Sequence, residues 1–144
     1  MVRLTSGDRK ATVAQAHTLH RARRSNRAHS EPEVKALRTI GDVAQFVTSK
    51  NAGPFLLTLD VVFPDEATYR TFKSLRPLDR HIVAGLYGIP ETDVLKIIEF
   101  DPAYAVKITM RRPLGSGALG ETDVYGAQQH VPLMLHEIDW PEGR

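Results

Sequence analysis

There is no cysteine in the 144 residues. That excludes disulfides, thiolate metal sites and thiol nucleophiles, and it fits a cytoplasmic home. Long apolar runs are missing as well. Nothing approaches the roughly 18–20 consecutive apolar residues of a membrane span, and no continuous apolar stretch near the start suggests a secretory signal. Acids are scarce at the N-terminus: residues 1–30 carry Arg3, Arg9, Lys10, Arg21, Arg23, Arg24 and Arg27 against Asp8 alone. The same stretch has no aromatic residue for base stacking, no Gly-Arg repeat and no metal ligands at finger spacing. It also has too few apolar side chains to bury against anything, so residues 1–33 are expected to form a disordered basic arm, with nucleic-acid binding disfavoured. The remainder, 34–144, holds an ordinary share of apolar residues for one domain with a core.

What is present begins with Ser49-Lys50-Asn51-Ala52-Gly53-Pro54, which feeds the most apolar run of the chain, Phe55 to Phe63. A hydroxyl, an ammonium and an amide stand side by side there, and Gly53 lets a ligand approach the backbone. The same six residues also read as a helix-to-strand turn punctuated by glycine and proline. Ahead of them, Ile40, Val43, Ala44 and Val47 recur at helical spacing, with Thr39 and Asp42 placed as a capping box. The predicted helix starts at 40, stops at about Ser49 and delivers the Ser-Lys-Asn loop.

Phe55–Phe63 reads as a central strand, and Asp60 within it needs a cationic or hydrogen-bonding partner unless it is a catalytic acid or base. Pro64-Asp65-Glu66 opens a second helix, and a third runs from Pro77 to the natural cap Gly88. Val94–Phe100 is a strand turned at Asp101-Pro102. It returns with Tyr104, Val106, Ile108 and Met110 on one face and Lys107 and Arg111 on the other, either lining an anionic site or lying on a solvated face. A glycine-rich loop over 114–123 lacks the phosphate-cradle pattern. Asp123 to His130 follows, dense in hydrogen-bonding side chains, and Val131–Ile138 is predicted as a last strand with Leu133 and Leu135 inward. The expected class is α+β: a mixed four-stranded sheet with helices on one face, ferredoxin-like in the split-βαβ sense.

Five stretches carry a family resemblance: Leu37-Arg38-Thr39-Ile40, SKNAGP at 49–54, Tyr87-Gly88-Ile89-Pro90, Phe100-Asp101-Pro102-Ala103 and Thr122-Asp123-Val124-Tyr125-Gly126-Ala127-Gln128-Gln129-His130. Over about residues 36–139 the chain resembles the family catalogued as domain of unknown function 4387. In its gene setting that family is similar to small partners of AtuA-like proteins, named after acyclic terpene utilisation. The resemblance implies a body that starts near residue 34, so the arginine-rich arm departs from the pattern. It also implies an AtuA-like large subunit as partner, and a link to catabolism of small organic acids and CoA esters.

Two functions of different class follow. One is the small subunit of a two-component lyase, of hydratase or dehydratase type, on a small carboxylic acid or acyl-CoA. There His130, Asp123 and Lys50 are the catalytic candidates, and Ser49, Asn51, Gly53, Lys107, Arg111, Tyr125, Gln128 and Gln129 the substrate-binding ones. No metal or cofactor is expected. The other is a non-catalytic module that binds the large partner through its polar loops. In either case the segments 49–54 and 122–130 are expected to meet, with Lys50 and Asn51 near Asp123, Tyr125, Gln128 or His130.

Overall fold

The computed structural model describes residues 33–143. The expected arm therefore lies outside the described residues, Glu33 excepted. Strand β1 (Lys35–Thr39) leads into Thr39 and Asp42, each of whose side chains accepts the other's backbone N–H, at 3.2 and 2.8 Å. This capping box starts α1 (Ile40–Val43), which lasts one turn and not the two predicted. Ala44 turns extended at ψ 150°, the Gln45 N–H donates to the Val62 carbonyl at 2.7 Å, and Phe46–Asn51 becomes strand β2. Val47 and Ser49 point inward while Phe46, Thr48 and Lys50 point out, the two-residue alternation of a strand. The tertiary pairing overrides a helical spacing that extended over only two turns of sequence.

The main sheet comprises β2, β3 (Leu56–Val62), β4 (Val94–Phe100) and β5 (Ala105–Arg111) in the order β2-β3-β5-β4. All neighbouring pairs are antiparallel, where a mixed sheet was expected. The fourth strand is β2 and not 131–138. That segment is divided into a short helix, α4 (Val131–Met134), and β6 (Glu137–Pro141), which pairs with β1 in a separate two-stranded ribbon. Pro132 suits the first turn of α4, where its missing N–H leaves nothing unpaired. Leu133 is buried as predicted, but Leu135 is exposed.

Between β3 and β4 come α2 (Glu66–Leu75) and α3 (Arg80–Tyr87), capped by Asp65 and Asp79 and ended at Gly88 with φ +61°. Tyr69 and Phe72 of α2 and Val83 and Ala84 of α3 join one face of the sheet, where Leu57, Leu59, Val61, Val106, Ile108 and Met110 are almost fully buried. Each of the large ones contributes about 1.5–3 kcal/mol by leaving water. No helix among the described residues is long and apolar enough to cross a membrane. The opposite face carries Thr48, Asp60 and Lys107 in one register row and is left uncovered by the described helices.

Candidate functional site

The β2–β3 hairpin and the long loop after β5 are stitched together at one end of the sheet. Ser49 sits at a core position of β2, and its hydroxyl accepts the Gln129 N–H at 3.0 Å. Asn51 donates its side-chain amide to the Val124 carbonyl at 2.6 Å and to the Ser116 hydroxyl at 3.3 Å. Its backbone N–H donates to the Tyr125 carbonyl at 3.2 Å. The loop crosses so close to β2 that a Cβ on Gly126 (φ +66°) would stand 2.6 Å from Asn51 Oδ1 and 2.7 Å from Leu57 Cδ1. Only glycine fits there.

Arg112 is the hub of the loop. Its Nε donates to the Leu114 carbonyl, Nη1 to Asn51 Oδ1 and the Val124 carbonyl, and Nη2 to Glu121 and, at 2.8 Å, the Asp123 carbonyl. All five N–H donors of the guanidinium are thus engaged inside the chain. The Arg112 and Glu121 side chains are only 4% and 9% exposed. The other Glu121 oxygen accepts the Asp123 N–H at 2.7 Å. That bond, against the opposing effect of burial and with help from Arg112, holds the Glu121 carboxyl below its usual range.

Asp123 is as fully used. One oxygen accepts the Ala127 N–H at 3.0 Å, and the other accepts the Gln128 N–H at 2.9 Å and the Gln129 side-chain amide at 3.1 Å. The Gln128 N–H is the main reason its carboxyl also lies below the ordinary range. His130 Nδ1 faces the Ala127 carbonyl at 3.2 Å and so donates to it, which in the neutral ring makes Nε2 the acceptor.

Beside this network lies a cleft of about 180 Å³, with Leu57 and Met110 among its lining residues and Tyr87 and Arg112 on its walls. Tyr87 donates its hydroxyl to the Gln129 carbonyl at 2.8 Å, and burial pushes its pKa well above the usual phenol value. With Arg112 and Glu121, its two charged lining residues, paired to each other, the cleft presents no uncommitted charge. What the platform does present is apolar: Phe55, Leu114, Leu119, Val124 and Tyr125 are all exposed, Leu119 completely and Tyr125 at 82%. The Phe55 ring lies against Gly115, where a Cβ would be 3.0 Å from it. These side chains therefore stand on loops fixed from beneath.

The description "Domain of unknown function (DUF4387)" belongs to a family model that matches residues 40–137 of this sequence. The chain belongs to the DUF4387 family. No curated protein and no solved structure matches it.

Within the DUF4387 span, the candidate residues divide between two faces. Ser49 and Asn51 join Asp123, Gln129 and the backbone of Tyr125 in the clamped platform. Lys50, their neighbour on a strand, points to the other side and pairs with Asp60 at 3.1 Å. Lys107 stands 4.0 Å from the second Asp60 oxygen, and Arg111 lies 3.6 Å from Asp93. Asp60 thus has the cationic partners its strand position requires. Gly53 adopts φ +88° in an open turn, and Gln128 is exposed. No group of three His, Asp or Glu among the described residues is placed to hold a metal.

Arg112, Glu121 and Ser116 were not among the candidates. The signal for Arg112 was nevertheless legible: it continues the row Val106, Ile108, Met110 and so puts a cation on the covered face of β5. A buried-face arginine must find acceptors, and here the glycine-rich loop supplies them.

Proposed function

We propose that this DUF4387 chain works as a subunit: the small partner of an AtuA-like large subunit, docked on it through the clamped platform. The observation that carries this reading is the set of exposed apolar side chains, Leu119 and Tyr125 foremost, on loops whose charged side chains Arg112, Glu121 and Asp123 are already engaged within the chain. Anchors held rigid before binding lose little entropy on docking. In this reading the pair is a cytoplasmic lyase of hydratase or dehydratase type on a small carboxylic acid or acyl-CoA, a substrate class suggested by the link to catabolism of organic acids and CoA esters that the family resemblance implies. His130, with Nε2 left as an acceptor, is the proton-transferring candidate, and Asp123 serves to position the loop that carries it. Lys50, on the other face, is not assigned to that reaction.

A purely structural module is the second reading. It is favoured by the complete engagement of Arg112 and Asp123, which leaves neither free to bind substrate. Co-expression with the AtuA-like neighbour, followed by hydration and dehydration assays on acyl-CoA and hydroxy acids, tests both. A stable complex whose turnover falls with His130→Ala supports the lyase; a stable complex indifferent to that change supports the module. No complex at all overturns the proposal. The ferredoxin-like reading of the fold is part of this proposal. It is supported by β3 and β4, which run in one direction on either side of β5 and are joined through α2 and α3.

A further inference from the structure

The face of the sheet that no described helix covers has a layout of its own. One register row runs Phe46, Val62, Ala105, Phe100 across all four strands. The two phenylalanines, on the outer strands, are 48% and 53% exposed, while Ala105 in the middle is 9% exposed. Two aromatic side chains therefore border a low apolar floor, three strand spacings or roughly 14 Å apart. An α-helix with its side chains is roughly 10–12 Å across and fits between them. The next rows carry charge. Lys107 lies beside Asp60, Lys50 reaches the same carboxylate, and Lys96 stands in register with Thr109. Arg111 is matched by Asp93, so the face as a whole is cationic.

We propose that this face binds an acidic amphipathic helix of another protein, its apolar stripe between Phe46 and Phe100 and its carboxylates towards Lys107, Lys50 and Lys96. Charge selects this occupant. A second copy would bring the same cations against themselves, and the segment 1–30 is itself strongly basic. Single-stranded nucleic acid suits the face less, because the two rings stand on the outer strands, three strand spacings apart, and form no continuous stacking platform for successive bases. The inference is independent of the platform: it uses the opposite face of the sheet and holds whether or not that docking occurs.

The test uses the full chain and three probes: an 18-residue helical peptide of leucine and glutamate, its leucine–lysine counterpart, and a 15-mer of deoxythymidine. Binding is followed by amide chemical-shift mapping and calorimetry at low salt. The acidic peptide is expected to bind and shift the amides of Phe46, Ala105 and Phe100. Affinity should fall about ten-fold in Phe46→Ala/Phe100→Ala and again in Lys107→Glu, with unchanged melting temperatures because all three side chains are exposed. Equal or tighter binding of the lysine peptide or the oligonucleotide would overturn the proposal. So would shifts confined to 113–126, or sedimentation showing a dimer that protects this face.

Discussion

Arg112 and Glu121 form an ion pair almost wholly withdrawn from water, its two side chains 4% and 9% exposed. It joins the end of β5 to a glycine-rich loop that otherwise has little apolar material to hold it. The loop's shape thus depends on one side chain nine residues before its carboxylate partner. Replacing Arg112 by alanine should free residues 113–126 and lower the melting temperature by on the order of 10 °C, since a buried carboxylate and several carbonyls lose their donors. Arg112→Lys should do little better, because an ammonium has three donors and not a planar fork of five. Thermal denaturation and limited proteolysis within the loop measure both effects.

The acid sensitivity of the platform has a definite sign. Glu121 and Asp123 have folded-state pKa values below their ordinary ones, chiefly through backbone N–H donors. Their contribution is present above the unfolded carboxyl pKa and is lost as pH falls through the folded values. Stability should therefore hold from neutral pH to about 5 and decline below about 4. Asp123→Asn keeps one acceptor oxygen without the charge. It should flatten the decline while lowering stability at pH 7, which melting curves across that range will show.

Gly126 separates steric need from loop flexibility. Gly126→Ala forces a Cβ into Asn51 and Leu57 at a positive φ, and should cost about 2–4 kcal/mol. Gly120 also has a positive φ, +88°, but the atom nearest an added Cβ is 4.0 Å away, so in Gly120→Ala strain alone should cost about 1 kcal/mol. Denaturant titration of the two variants gives the difference directly. Equal losses would mean that the loop does not press on β2 as described.

Lys50 lies in the most suggestive stretch of the sequence, yet its partner is Asp60 on the uncovered face and its side chain is 63% exposed. Lys50→Ala should cost less than about 1 kcal/mol and leave assembly with the large subunit unchanged. A loss of assembly or turnover from this substitution alone would return it to the site.

Much of this was legible in the sequence. The capping box at Thr39, helices α2 and α3, the β4–β5 hairpin and the inward row Val106, Ile108, Met110 all follow from local patterns. Strand β2 did not, because its second inward position is Ser49, a polar residue that hides the alternation and is buried only because Gln129 donates to it. Reading that strand as a loop also placed Lys50 and Asn51 together, whereas successive strand residues face opposite ways. β1 gave no signal, since Leu37, its one large apolar side chain, points to solvent. Within the site, the joining of 49–51 to 122–130 was anticipated. The arginine that enforces it follows Arg111 directly, and the two-residue alternation that turns Arg111 to the polar face turns Arg112 to the covered one.

On a docking platform of this kind Leu119 and Tyr125 are the anchors that the large subunit would cover. Both side chains are largely exposed, so Leu119→Asp and Tyr125→Asp should fold with unchanged melting temperatures. Co-expressed with the AtuA-like subunit and run on size exclusion with light scattering, the unaltered chain should elute with the partner. Each aspartate variant should elute alone, through an affinity loss of about ten-fold or more. Intact complexes with both variants would contradict the claim.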